Sequence, residues 1–263
     1  MTRLLRQHRR RLGILGTLIF GLLLSACLKS SPEVLPPAPL PATAVLLGRL
    51  AELDGRFASL TALARTRLVR EGASRTLQQA LLARKPDRLR VDVLGPFSYP
   101  LLQVAAAGQL QVYIPSEGRF YAGEASAANL SRFTGLPLRI EQLVGILLLE
   151  LPRLHYTEAA TAWRDGEVVL TLDDGGRMRQ EFAFSASGEL LRASYWREGE
   201  LFCEVNYAAY STADAFPRQI ALRLPTAKVE AHLELTDVET TQTLDDARFI
   251  LKVPAQTPIL PFP

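Results

Sequence analysis

The chain has 263 residues, 48% hydrophobic and 22% charged, with 30 Lys and Arg against 27 Asp and Glu. Five of the arginines and no acid fall in the first 26 residues, so the remainder holds 25 basic and 27 acidic residues, a net charge of −2. That balance removes the support for a nucleic-acid-binding reading built on overall basicity, and two cysteines, one of them close to the N-terminus, leave no internal disulfide framework.

The N-terminus, MTRLLRQHRRRLGILGTLIFGLLLSAC, sets Arg3, Arg6, Arg9, Arg10 and Arg11 ahead of an apolar run from Leu12 to Ala26. The run is shorter than the roughly 20 residues a spanning helix needs, and its basic lead and small-residue end make residues 1–26 a secretory signal peptide. Leu24-Ser25-Ala26-Cys27 resembles the bacterial lipobox. The resemblance implies that Cys27 receives diacylglycerol and, after cleavage, an N-terminal acyl chain. Three chains exceed what stable anchoring requires, at about 0.8 kcal/mol per buried methylene. Leu28 stands where Asp is the familiar inner-membrane retention signal, so by that resemblance the expected location is the periplasmic face of the outer membrane. Residues 27–43 carry Pro32, Pro36, Pro37, Pro39 and Pro41 and read as a semi-extended tether of about 3 Å per residue.

Residues 44–254 read as one domain, followed by a Pro-rich tail at 255–263. The first element spaces Leu46, Leu50, Leu53, Phe57 and Leu60 by threes and fours, an amphipathic helix. The period then shortens. TRLVREG, SRTLQQALLAR, DRLRVDVLG, LLQVAAAG, LQVYIPS and GRFYAG read as successive antiparallel strands. A helical interruption follows: SAANLSRFTG, with Ser126 as N-cap, and then IEQLVGILLLE, which is apolar around more than one face. Strands resume from LHYTEAATAWR to KVEAHLELTDVET, separated by DG, DDGG, SG and EG turns. The pattern is mainly β (α+β): about a dozen antiparallel strands with a leading helix and a helical insertion.

Reactive chemistry is sparse. After the signal the chain retains His155 and His232, far apart and each on a predicted strand, with no metal-ligand spacing, nucleophile elbow or phosphate loop. Asp173-Asp174 and Asp245-Asp246 lie in turn-like contexts and read as solvated loop acids. Tyr195, Trp196, Tyr207 and Tyr210 alternate along strands and read as packing residues, and Cys203 as a small buried hydrophobe. The expectation is a protein without catalytic residues, metal or cofactor, not an enzyme. Against this background GPFSYP, residues 95–100, is unusual, because Phe97 and Tyr99 occupy a connection where turn residues are the norm.

Taken in order, the lipobox, DRLRVDVLGPFSYPLL, TGLPLRIEQLVGILLLELP, and NYAAY with AFPRQIAL resemble the LolB-type outer-membrane lipoproteins of the LolA/LolB-like superfamily. The resemblance spans most of 44–251. It implies an incomplete antiparallel β-barrel of about 11 strands with a helical lid over an apolar cavity. Leu130, Phe133, Leu136, Leu143, Ile146 and Leu147 would line cavity and lid, and Pro96, Phe97 and Tyr99 would form a membrane-insertion or transfer loop. The implied function is to receive lipoprotein acyl chains from a LolA-like periplasmic carrier and insert them into the outer membrane, as a monomer without nucleic acid. The alternatives are a protein of the same fold that binds another lipid, or a non-catalytic structural component of an envelope complex. Two departures mark the match: GILLLELP is one residue longer than its family counterpart, and Phe97-Ser98 replaces Leu-Gly at the tip.

Overall fold

The computed structural model describes residues 39–262; the expected signal peptide, Cys27 and most of the Pro-rich tether lie outside the described residues. Helix α1 (Thr43–Arg56) buries Leu46 and Leu50, with Leu47 and Leu53 packed beside them. It stops short of the predicted stripe: Phe57 is an extended C-cap and Leu60 belongs to β1 (Ser59–Arg70). The reason is a change of period. From Leu60 onward the buried residues are Leu60, Ala62, Ala64 and Thr66, every second position, which only a strand places on one face.

Five further strands follow: β2 (Ala73–Arg84), β3 (Arg88–Leu94), β4 (Pro100–Ala107), β5 (Gln109–Ile114) and β6 (Arg119–Glu124). Helices α2 (Ala127–Thr134) and α3 (Ile140–Leu147) form the insertion. The chain then returns to the sheet through β7 (Glu158–Arg164), β8 (Glu167–Asp173), β9 (Met178–Phe184) and β10 (Leu190–Arg197). Next come β11 (Glu200–Tyr210), β12 (Pro217–Leu224), β13 (Val229–Glu239) and a two-residue β14 (Ile259–Leu260). All belong to one sheet, ordered β14-β6-β5-β4-β3-β2-β1-β13-β12-β11-β10-β9-β8-β7. β1 pairs with both β2 and β13, which joins the first and last long strands at the middle, while β7 and β14 do not meet and the sheet stays open.

Fourteen strands replace the expected eleven. Part of the difference is β14, two residues between prolines inside the segment read as a tail. It adds in parallel to the edge strand β6, with Ile259 opposite Phe120 and Leu260 opposite Tyr121. The segment leading to it crosses the outer face of the sheet. Arg84 binds the Leu244 carbonyl and Asp246, the Leu251 amide donates to Gln111 Oε1 at 2.9 Å, and Leu251 packs on Ala105 and Phe120. Phe262 then reaches Tyr121 and Phe133 of α2, with ring centroids 6.2 and 5.8 Å away.

Ser126 caps α2 as expected, its Oγ accepting from the Asn129 amide at 3.3 Å. α3 is shorter than its apolar sequence suggested. After Leu147 the chain turns back through Leu149 in the left-handed region (φ 55°), and the Glu150 amide donates to the Gly145 carbonyl at 2.8 Å. The returning backbone lies directly on Gly145, where any Cβ would collide with the Glu150 carbonyl oxygen. Leu143 to Leu149 are all buried, so the turn after α3 stays inside the core. Substitution Gly145→Ala is therefore expected to lower stability by roughly 1–3 kcal/mol through overpacking against backbone, readable as a drop in the urea midpoint at unchanged slope.

Candidate functional site: an apolar cavity under a helical lid

Strands β4 and β12 stand five places apart in the sheet. At about 4.8 Å per strand a flat sheet would hold them roughly 24 Å apart. Instead Leu102 and Val104 of β4 and Ile220 and Leu222 of β12 line one cavity of about 480 Å³, so the sheet curls around it. Leu68, Leu77, Leu81, Leu89, Val91 and Leu233 complete the sheet side. The lid side comes from Phe133 of α2, Leu136 in the link, and Leu143, Ile146 and Leu147 of α3. Five of the six residues predicted for cavity and lid thus meet here; Leu130 lies fully buried in the core and does not face the space.

Polar groups in the lining fall into two sets. Deep in the wall Thr66 Oγ1 donates to Gln79 Oε1 at 2.6 Å, a pair that satisfies its own hydroxyl. Thr134 at the end of α2 is likewise satisfied, its hydroxyl donating to the Leu130 carbonyl at 2.9 Å, and the charged groups gather at the end of the β1–β2 hairpin and the last turn of α2: Arg70, Glu71, Arg75 and Arg132, all exposed. The rest is aliphatic, with the Phe133 ring. Such a space suits an alkyl chain.

The lid is held by buried polar contacts that the sequence pattern did not reveal. The Tyr207 hydroxyl donates to the Ile146 carbonyl at 2.9 Å, satisfying one of the orphan acceptors at the end of α3. Gln180 is fully buried and binds the segment after α3 from both sides, Nε2 to the Pro152 carbonyl at 2.8 Å and Oε1 from the Leu154 amide at 3.1 Å. Tyr195 adds a bond to the same Pro152 carbonyl at 3.2 Å. Lys85 pairs with Glu150 at 2.9 Å and also binds the Asp54 carbonyl, tying α1 to the turn beneath the lid. Tyr195, Tyr207 and Tyr210 sit on strands as expected, and their ring positions are packing positions; what the pattern could not show is where each hydroxyl points.

Other residues singled out from sequence have structural places. His155 lies between α3 and β7 rather than on a strand, because strand pairing begins only at Glu158; His232 is on β13, exposed beside Glu230. Asp174 Oδ1 accepts from the amides of Gly176, Arg177 and Met178 in its turn, and these bonds hold its carboxyl below the usual range. Asp246 is held low first by its bond from Arg84, within the outer clasp. Among the described residues no group of three or more His, Cys, Asp or Glu is placed to hold a metal ion. The Cys203 thiol, half-buried, is pushed up to about 11 by burial, with Glu204 adding to the shift.

The loop at residues 95–99 has a different character. Pro96 to Ser98 form a single tight turn in which Phe97 and Ser98 both adopt left-handed backbone, φ 59° and 60°. The Gly95 amide closes it on the Tyr99 carbonyl at 2.8 Å. Left-handed geometry at a bulky residue costs on the order of 1–3 kcal/mol, and here it turns the Phe97 ring wholly into solvent, at 103% relative exposure, beside Tyr99 at 68%. β1 and β3 are each antiparallel to β2, so Arg70 and Leu94 end their strands on the same side of the sheet. The hairpin arginines and the aromatic tip therefore lie toward the same end of the strands, with Leu94 level with Arg65, five residues short of Arg70.

No protein-family model matches the sequence, and no curated protein matches it. Solved structures match the fold. One is a domain named for outer-membrane lipoprotein sorting from Vibrio parahaemolyticus, with TM-score 0.51 and 16% identity over 78% of this chain and 94% of that one. A LolA superfamily protein from Nitrosomonas europaea gives TM-score 0.51 and 16% identity over 80% of this chain and 98% of that one. A DUF1329 family protein from Desulfovibrio piger gives 0.53 and 16% over 81% and 97%. At such identity the likeness is one of fold: the chain has the mainly β, open-sheet architecture of these proteins.

Burial raises the pKa of Tyr207 far above the ordinary 10.0 and lifts Tyr195 and Tyr210 in the same direction. These hydroxyls stay neutral in the folded protein, whereas in the unfolded chain they ionise near pH 10, so unfolding releases protons above that point and stability falls as pH rises. The melting temperature should hold level up to about pH 8, fall gently as Cys203 begins to ionise in the unfolded chain, and decline further beyond about pH 10, there more steeply than in a Tyr207→Phe variant. That variant should start roughly 1–3 kcal/mol less stable at pH 7, having left the Ile146 carbonyl without its donor.

Proposed function

We propose that the protein is a membrane-anchored lipid-binding lipoprotein that accepts acyl chain into the cavity and exchanges it with a bilayer through the Phe97 tip. The observation that supports this reading above others is the 480 Å³ apolar space lined from both sheet and lid, with a solvated aromatic at the same end. Binding needs no nucleotide or metal, because each methylene moved from water into the cavity contributes about 0.8 kcal/mol. Phe97 and Tyr99 suit the interface, where aromatic rings are favoured, and Pro96 restricts the backbone that presents them.

In the finer form of the proposal the cargo is a lipoprotein passed on by a LolA-like periplasmic carrier, and Cys27 anchors the receiver at the outer membrane, on the LolB pattern. The lipobox, the tether and the fold support it. A second reading, a carrier of another amphiphile, draws on the cavity's size. At about 480 Å³ the cavity falls within the range of pockets that take small-molecule ligands, a size that suits a single-chain lipid.

Two substitutions separate the parts. Val91→Trp, which fills the cavity from β3, should weaken binding of a single-chain lipid at least about tenfold without unfolding the protein; unchanged affinity would place the ligand elsewhere. Phe97→Gly should leave binding intact and stability unchanged or up to about 1 kcal/mol higher, because glycine accepts the left-handed backbone freely. It should nevertheless slow transfer of the bound lipid to vesicles several-fold, and wild-type transfer rates in that variant would remove the tip from the mechanism. Depletion in the native host tests the finer form: lipoproteins should accumulate on the periplasmic carrier.

A further inference from the structure

The arginines at the cavity mouth are not used by the acyl-binding account. Among the described residues, Arg84, Arg88, Arg90, Arg153, Arg164, Arg192, Arg218 and Arg223 each have a carboxylate within 4.0 Å. Arg70, Arg75 and Arg132 are among the described arginines that have none, as are Arg65, Arg67 and Arg139 elsewhere on the surface. Yet the first three border the same opening, where Glu71 is the one acid in the lining. Arg70 and Arg75 lie on the cavity-facing side of the β1–β2 hairpin, as the register shows. Arg75 is opposite Leu68 and Leu77 is opposite Thr66, both pairs lining the space, while Arg132 approaches from the last turn of α2.

We propose that this rim recognises the anionic head of the bound amphiphile, so that the ligand is a single-chain lipid carrying a phosphate or carboxylate at the mouth. The inference rests on the second reading above. Three guanidiniums around one entrance, with a single carboxylate to offset them, produce a positive field where an inserted alkyl chain must leave its polar end. The planar fork of arginine matches phosphate and carboxylate oxygens in pairs. The apolar wall fixes the depth of the chain and the rim fixes which heads are tolerated. This division gives selectivity that burial alone cannot supply, because every saturated chain of one length buries the same area.

The test uses the complete chain with Cys27→Ser, which removes the acceptor thiol for the anchor, titrated calorimetrically below micelle-forming concentrations. The probes are a lysophosphatidylglycerol, a monoacylglycerol of the same chain length, and inorganic phosphate. The lysolipid should bind roughly tenfold or more tighter than the neutral lipid, with the preference shrinking as salt rises, and phosphate alone should show no comparable affinity. In the triple variant Arg70→Gln, Arg75→Gln, Arg132→Gln the preference should vanish while monoacylglycerol affinity stays at the wild-type value. Equal affinities for the two lipids in the wild type would overturn the rim's role and leave the cavity reading standing. Phosphate binding as tight as the lysolipid would show a free-anion site instead, and failure of both lipids to bind would overturn the cavity reading itself.

Discussion

A fourteen-stranded sheet that curls without closing has an apolar inner face and no second sheet to cover it. That uncovered face is the constraint from which the rest of the architecture follows. Water against it would cost about 25 cal/mol per Å², so the chain interrupts its strands between β6 and β7 to lay α2 and α3 across the opening. A helix placed there touches sheet on one side and the connecting chain on others, which is why α3 is apolar nearly all round. The coverage is incomplete, and the space left between lid and sheet is the candidate site.

Holding such a lid needs direction as well as burial, since hydrophobic contact alone does not fix orientation. Tyr207, Gln180 and Tyr195 supply it from β11, β9 and β10, each meeting a backbone group at or just beyond α3. No buried side-chain polar atom among the described residues is left without a partner, so these bonds add specificity without a stranded group. On the other edge, the C-terminal segment crosses the outside of the sheet and returns Phe262 to α2. The lid is thereby braced from both sides, while the side chains of Leu143, Ile146 and Leu147 face the cavity.

Much of this was legible in the sequence because it depends on period. Alternation marked the long strands, and the all-round apolar character of residues 140–151 announced a buried helix. The six residues expected at cavity and lid rest on the family resemblance rather than on period, and five of them line the space. The remainder depended on geometry that period does not encode. The end of α1 was misplaced because Phe57 and Leu60 continue a helical spacing by coincidence after the chain has already turned into a strand. β14 escaped because two residues between prolines carry no pattern. The need for glycine at position 145 comes from the returning backbone of Glu150, which no periodicity encodes. Arg70 and Arg75 share a hairpin but Arg132 is far from them in the chain, and only the packing of α2 over the sheet brings it to the same mouth. Phe97 was conspicuous as an aromatic in a turn, but its outward direction is set by left-handed backbone at two successive non-glycine residues.

If acyl chain enters the space between sheet and lid, a spin-labelled fatty acid bound to the protein will report its position. With methyl groups observed by NMR, a label near the chain terminus should broaden Leu77, Val91, Leu143 and Leu147, which line the cavity, and spare Val169 and Leu251, which do not line it. Broadening confined to the cavity methyls and abolished by excess unlabelled lipid is the predicted result. Broadening spread evenly over the surface, or centred on the Leu251 and Phe120 cluster outside, would contradict it.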